Sequence, residues 1–236
     1  SSLSEESHLA GQVKKDEPVL VIIGNPPYSG ISSNINDWTE KLLKEDLDGA
    51  QSYYTVDGKP LGEKKVWLQD DYVKFLRFAQ WKIQKAGKGI VAMITNHAYL
   101  DNPTFRGMRQ SMNKTFDEIF ILDLHGNSLK KEVSPDGSKD VNVFDIRSGV
   151  AIAIFIKNQT KKVNQVKHHE IFGDRNSKYF WLISNSHETV NYTSVPQDPP
   201  FYFFFPRDTS KIQHYSDWPS VVEIFPVNVS GIVTAR

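Results

Sequence analysis

Pro18-Val19-Leu20-Val21-Ile22-Ile23-Gly24 runs straight into Asn25-Pro26-Pro27-Tyr28, and the reading of these eleven residues decides the fold. An unbroken, β-branched apolar run bounded by Pro and Gly is the pattern of a strand buried on both faces, as in parallel sheets. Downstream, Val66, Tyr72, Val73, Leu76, Phe78, Ala79 and Ile83 recur at roughly helical spacing from Val66 to Lys85, and Gly87 and Gly89 stop the pattern. Gly89 to Thr95 reads as a second buried strand, Asp101 to Thr115 as a helix with Pro103 near its start, and Glu118 to Leu124 as a third strand. Strands alternating with helices predict a parallel α/β sheet with right-handed crossovers. A fourth apolar run, Val150 to Lys157, is reached through the turn Ser134-Pro135-Asp136-Gly137 and without a helix, so it is expected to pair antiparallel at the end of the sheet.

Composition narrows the classes around this frame. The chain has 236 residues, 28 basic and 28 acidic side chains, no cysteine and 12% aromatic residues. It is therefore neither a disulfide-stapled module nor a cysteine-ligated zinc or iron–sulfur protein, and it has the apolar content to bury a core. At about 150 residues per domain the length allows one to two domains. The longest apolar runs are far short of the roughly 20 residues that a membrane helix requires, so no membrane association is expected. Residues 1–17 form a polar lead without the pattern of a signal peptide, which leads to the expectation of a soluble, cytoplasmic intracellular protein. A chain that begins at Ser1 without Met and stops at Arg236 is expected to be a piece of something longer. From about Asn158 prolines and aromatics multiply; residues 18–158 are read as the catalytic part and 159–236 as an irregular extension.

The turn after the first strand carries the chemistry. In open α/β sheets ligands bind at the carboxyl ends of the strands, where Asn25 to Tyr28 lie. Pro26 and Pro27 hold φ near −65° and present carbonyls from a rigid frame, and Asn25 adds a side-chain carbonyl. Two acceptors on the hydrogens of an amino group favour the pyramidal form that attacks an electrophilic methyl group. Tyr28 offers a flat face to a planar substrate, a contact worth about 1–3 kcal/mol for a nucleic-acid base. The plainer reading is a strand-ending turn in which Asn25 caps backbone and Tyr28 belongs to the core. Asp198-Pro199-Pro200-Phe201 has nearly the same letters but follows a polar stretch, so it is assigned to a loop with an aromatic anchor.

Taken together, Asn25-Pro26-Pro27-Tyr28, the helix that follows, Ile94 to Asp101, Arg106-Gly107-Met108-Arg109, Ile121 to Asn127 and Asn142 to Ile146 resemble the amino-methyltransferase part of N6-adenine DNA methyltransferases. The similarity is to the large single-polypeptide restriction–modification enzymes of the type ISP and type IIG groups. It runs from about Val19 to Arg236 and includes Phe225-Pro226-Val227-Asn228, which in that family leads toward a target-recognition region. The resemblance implies a Rossmann-like sheet and S-adenosylmethionine as methyl donor. Asn25, Pro26, Pro27 and Tyr28 would be catalytic, with Asn25 and the Pro26 carbonyl accepting from the N6 amino group. Tyr28 would stack on an adenine flipped out of double-stranded DNA, and Phe144 is the candidate for its opposite face, the alternative being ordinary core.

In the family the donor site lies mainly on strands before this turn. The resemblance therefore implies that the chain is the second half of the catalytic sheet, with Asn25 and Pro26 its only share of the donor site. It is expected not to bind S-adenosylmethionine or to methylate alone, and the outer edge of the Val19 to Ile23 strand is expected to lack a parallel neighbour from this chain. The implied partners are the other methyltransferase half, a target-recognition domain, and helicase or nuclease domains of the same polypeptide. Two other readings stay open: a DNA-contacting or interaction fragment without catalysis, and an N-methyltransferase for protein glutamine or RNA guanine.

Weaker signals surround the turn. Arg106, Arg109 and Lys114 suit phosphate contacts, with a solvated helix face the equal alternative. Between Lys157 and Lys178 stand six basic and two acidic residues, either a DNA-steering patch or plain surface. His97 and His125 fall after strands near the substrate edge, and His97 is carried as a substrate-binding candidate. His168-His169 lacks partners at ligand spacing, and no metal site is expected.

Overall fold

The computed structural model describes residues 4–9, 11, 20–28, 30, 32–62, 66–158, 164–211, 218–219 and 221–226. Of the polar lead only α1 (residues 4–9) and residue 11 are described. Pro18, Val19, Lys161, Lys162, Val227 and Asn228 lie outside the described residues. The chain divides into two units, 1–206 and 207–236. The second contains the short helix α6 (Val221–Ile224), whose Val221 and Ile224 are exposed, as is the Phe225 that follows.

The first unit is built on a six-stranded sheet of β1 (Val21–Gly24), β4 (Gly89–Asn96), β6 (Val150–Lys157), β5 (Glu118–His125), β7 (Gln165–Glu170) and β8 (Thr193–Val195), in that spatial order. β1 runs parallel to β4 and β5 parallel to β7, while β6 is antiparallel to both β4 and β5. The α/β sheet expected from the alternation is present. The antiparallel strand, expected at the sheet's end, lies inside it, inserted between β4 and β5, with β7 and β8 adding two further strands beyond β5. Gln165 to Glu170 was read within the extension; its alternation is visible, with Val166 and His168 buried between more exposed neighbours. The boundary expected at 158 therefore marks no break in the fold.

β1 corrects a second expectation. Only Ile22 and Gly24 are half-buried, while Val21 and Ile23 are exposed, Ile23 by 79%. Among the described residues β1 pairs only with β4, so its outer edge is open. Val21 and Ile23 point to one face of β1, and an apolar run is buried on both faces only where other elements pack on each; among the described residues that face is uncovered.

The remaining elements follow local rules. α2 (Asp37–Lys44), missed in the polar stretch around Trp38, starts at a capping box in which Asn36 accepts from the Thr39 N–H and Thr39 accepts from the Asn36 N–H. A short hairpin, β2 (Thr55–Val56) and β3 (Lys59–Pro60), precedes a 3₁₀ turn at Val66–Gln69. α3 (Asp71–Ala86) buries Tyr72, Val73, Leu76, Ala79 and Ile83 of the periodic set, leaves Phe78 half-buried, and ends on Gly87 with φ 78°. Short 3₁₀ turns at His97–Leu100 and Pro103–Phe105 lead into α4 (Arg106–Thr115), and α5 (Arg175–Ser184) is capped by Asp174. Among the described residues no helix is long and apolar enough to cross a membrane.

Candidate functional site

The carboxyl ends of β1, β4 and β5 lie on one edge of the sheet: Asn96 and His125 both face Val150, where β6 begins. Asn25 to Tyr28 leave β1 at that edge. Pro26 is buried, Asn25 and Pro27 are exposed, and the Tyr28 hydroxyl donates to Asn25 Oδ1 at 2.7 Å. One of the two lone pairs expected to receive a substrate amino group is thus held within the turn; the other is open. Burial pushes the Tyr28 phenol up to about 12, so it stays a donor. Tyr28 is half-buried against both core clusters, and Phe144 packs on the cluster of Leu122, Leu124, Val143, Val150 and Ile171 that Tyr28 also borders. The two rings assigned to opposite faces of a base therefore flank the same patch of core.

His97, at the end of β4, is buried. Its Nδ1 lies 3.0 Å from Asp123 Oδ1 and its Nε2 lies 3.0 Å from Asn127 Nδ2. Asn127 Oδ1 accepts from the Lys130 N–H, so its amide nitrogen faces His97 and the imidazole proton sits on Nδ1. The Gly149 carbonyl accepts from the His97 N–H, and Gly149 stands so close to the imidazole ring that there is no room for a Cβ. His97 is thus locked into the framework and is not free to reach toward a base or phosphate.

His125 and Gly126 end β5 with successive positive φ values of 50° and 79°, which turns the chain sharply and brings Glu132 back toward the strand end. His125 Nε2 lies 3.1 Å from Glu170 Oε2, and its Nδ1 lies 3.8 Å from both Asp123 Oδ2 and Glu132 Oε1. Burial alone would lower the imidazole. Pairing with Glu132 and Glu170 and the charge of Asp123 overcome it and hold His125 up at about 9. Burial would likewise raise Asp123, yet the His97 hydrogen bond and the two nearby imidazoles keep it below the usual carboxylate range. Asp123, Asn127 and Glu132 escaped the sequence reading as a group. Only the i, i+2 spacing of Asp123 and His125 hinted that two titratable groups leave the strand together.

Arg109, expected at phosphates, is fully buried. It donates to the carbonyls of Tyr99, Asn102, Phe201 and Tyr202, which ties α4 to the Asp198–Phe201 loop. Burial without a touching carboxylate lowers its guanidinium to about 9. Phe204, at 0% exposure against Tyr99, anchors that loop. Arg106 is half-buried and donates to the Pro103 and Leu61 carbonyls. Lys114 is bonded to Gln51. Four of the six basic residues of the later stretch are described: Lys157 donates to the Thr115 carbonyl, Lys167 pairs with Glu118, Arg175 with Asp145 and Lys178 with buried Asp140. Three of these four charges thus face a carboxylate within the fold. His168 is buried in β7 and His169 stacks on Trp181.

No protein-family model matches the chain. It is 30% identical over 117 residues to the Type II methyltransferase M.BanIII of Aneurinibacillus aneurinilyticus, which is 50% of this chain and 17% of that protein. Its fold matches part of the enzyme in a DrdV–DNA complex with a TM-score of 0.66 and 28% identity, covering 83% of this chain and 19% of that one. It also matches a nuclease-deletion mutant of the Type ISP restriction–modification enzyme LlaGI, solved with a DNA substrate mimic (TM-score 0.68, 23% identity, 89% of this chain and 20% of that one). The ATP-dependent Type ISP enzyme LlaBIII bound to DNA gives a TM-score of 0.67 at 23% identity, over 89% of this chain and 14% of that one. The chain thus spans a fifth or less of the length of these relatives. It is homologous to part of a methyltransferase and has the fold of a region of restriction–modification enzymes.

Proposed function

We propose that this chain is the amino-group-presenting part of a site-specific DNA methyltransferase, acting on adenine N6 within a restriction–modification polypeptide. The observation that carries the reading is the Asn25–Tyr28 turn at the carboxyl end of β1, with Tyr28 and Phe144 on one patch of core. In this reading Asn25 Oδ1 and the Pro26 carbonyl accept the two N6 hydrogens, which concentrates the nitrogen lone pair on its free side. Tyr28 holds the plane of the base, which must leave the duplex to be reached.

The described residues do not fit an S-adenosylmethionine site. Asn25 and Pro27 are exposed, Ile23 stands on an open edge, and a Cβ at Gly24 would meet nothing nearer than Met93 Cε at 3.9 Å, so no close-fitting cradle flanks the turn. The part of the reaction assigned to this chain is confined to holding and orienting the amino group, and the isolated chain is inactive. Micromolar S-adenosylmethionine binding to the chain alone, measured by calorimetry, would contradict that division of labour. Within a parent polypeptide, Asn25→Ala should abolish adenine methylation of cognate DNA while circular dichroism and the melting temperature stay unchanged. Retained methyl transfer would remove Asn25 from the mechanism, and transfer to glutamine or guanine instead of adenine would replace the substrate assignment.

A further inference from the structure

Residues 141–144 lie in no helix or strand, yet their four consecutive carbonyls are each taken by a side chain of α5. Lys178 Nζ donates to the Val141 carbonyl at 2.8 Å and Arg175 Nε to that of Asn142 at 2.9 Å. The Tyr179 hydroxyl donates to the Val143 carbonyl at 2.6 Å and Arg175 Nη2 to that of Phe144 at 3.0 Å. Positions 175, 178 and 179 share one face of a helix, so a single turn of α5 holds the whole segment. Arg175 Nη2 also pairs with Asp145 at 2.7 Å. From the other side Asn142, itself buried, donates to the Gly126 and Ser148 carbonyls and accepts from the Phe144 N–H. α5 is fixed in turn: Asp174 caps it, and Trp181 and Leu182 pack on the core cluster that Tyr28 and Phe144 border.

We propose that Arg175 and Tyr179 are positioning residues that set the Phe144 ring for the target base. The inference rests on the reading of Phe144 as the second face of that base. An irregular segment whose carbonyls faced water could follow many paths; donors on a rigid helix select one. Arg175 suits this task because its planar fork reaches two carbonyls and a carboxylate at once. Phe144 is half-buried, so core packing fixes one side of its ring, and the tilt of the open side follows the backbone that α5 holds. A base stacks only on a ring presented in its own plane. Misplacing an orienting group by about 1 Å costs on the order of a hundredfold in rate. Neither Arg175 nor Tyr179 touches the base; each acts through Phe144.

In a parent polypeptide assayed on cognate DNA at saturating S-adenosylmethionine, Arg175→Gln and Tyr179→Phe should each lower kcat by about tenfold, with the KM for S-adenosylmethionine unchanged. Phe144→Ala should lower methylation by roughly 5- to 150-fold, the loss of one stacked face. Because both residues act through Phe144, adding either change to Phe144→Ala should cost little more in kcat, whereas independent contributions would multiply. In the chain alone, Tyr179→Phe should shift and broaden the Phe144 ring signals in NMR. If Arg175→Gln fails to fold, Tyr179→Phe with and without Phe144→Ala still decides the matter. Losses that multiply in the double variants, an unmoved Phe144 signal, or lowered stability with kcat intact would each overturn the inference and leave the base-facing reading standing. Normal methylation by Phe144→Ala would instead remove Phe144 from the site, and the inference with it.

Discussion

Lys178 Nζ lies 2.7 Å from Asp140 Oδ1, and both side chains are wholly shielded from water. The same ammonium donates to the carbonyls of Leu124 and Val141, and the same carboxylate accepts from the N–H groups of Gly126 and Gly173. One ion pair therefore joins the end of β5, the segment leading to β6 and the start of α5. It sets the position of the His125–Gly126 turn from behind.

Removing one partner of such a pair leaves the other charge buried. Lys178→Met should destabilise the first unit by about 3–5 kcal/mol, read as a lower midpoint in urea denaturation. Because Asp140 also satisfies two backbone donors, replacing both residues by apolar ones should fail to restore stability. Full recovery in the double variant would show that the backbone bonds are dispensable.

Gly149→Ala tests how tightly His97 is held. The new methyl would overlap the imidazole ring, so either the ring or the 148–150 backbone must move. A stability loss of about 1–3 kcal/mol is expected for such overpacking, with a changed His97 imidazole signal in NMR. An unperturbed His97 signal would mean that the backbone yields instead.

Arg109 separates a structural from a DNA-contacting arginine. Lys keeps the charge but not the fork that reaches four carbonyls, so Arg109→Lys should lower stability by about 1–3 kcal/mol. A phosphate contact would show instead as weaker DNA binding with a shallower salt dependence at unchanged stability. That outcome would return Arg109 to the interface.

Acid sensitivity should come first from His168. The ring is buried in β7 with Nε2 unpartnered among the described residues, and burial lowers its pKa. A base whose folded pKa is depressed binds its proton more readily in the unfolded chain, so its contribution is intact above the unfolded value near 6.5 and is lost as pH falls below it. Urea midpoints measured from pH 7.5 to 5 should fall for the parent chain and less steeply for His168→Gln. Equal slopes would assign the acid sensitivity to other groups.

Much of the frame was legible in the chain itself. The periodicity of α3, the apolar runs of β4, β5 and β6 and the proline-rich turn after β1 are local signals, each written within one segment. What they did not contain was neighbourhood. Whether Val21 and Ile23 are covered depends on what packs on their face of the sheet, and an apolar run looks the same with or without it. Where β6 sits depends on the long-range pairing that inserts it between β4 and β5, and where the sheet ends depends on β7 and β8, whose short alternating segments carry little signal of their own.

The same distinction divides the site. The residue order by itself determined that a rigid, acceptor-rich turn with an aromatic face follows a strand, because proline geometry and side-chain chemistry are properties of adjacent residues. Only the tertiary structure decided which charges are free. Arg109, Arg175 and Lys178 read as an electropositive surface and are tied to carbonyls or carboxylates up to 93 residues away in sequence. Likewise the gathering of His97, Asp123, His125 and Glu132 is invisible along the chain. Coulombic and hydrogen-bonding partners are chosen by distance in space, and the sheet, with the two positive-φ residues at its edge, sets those distances.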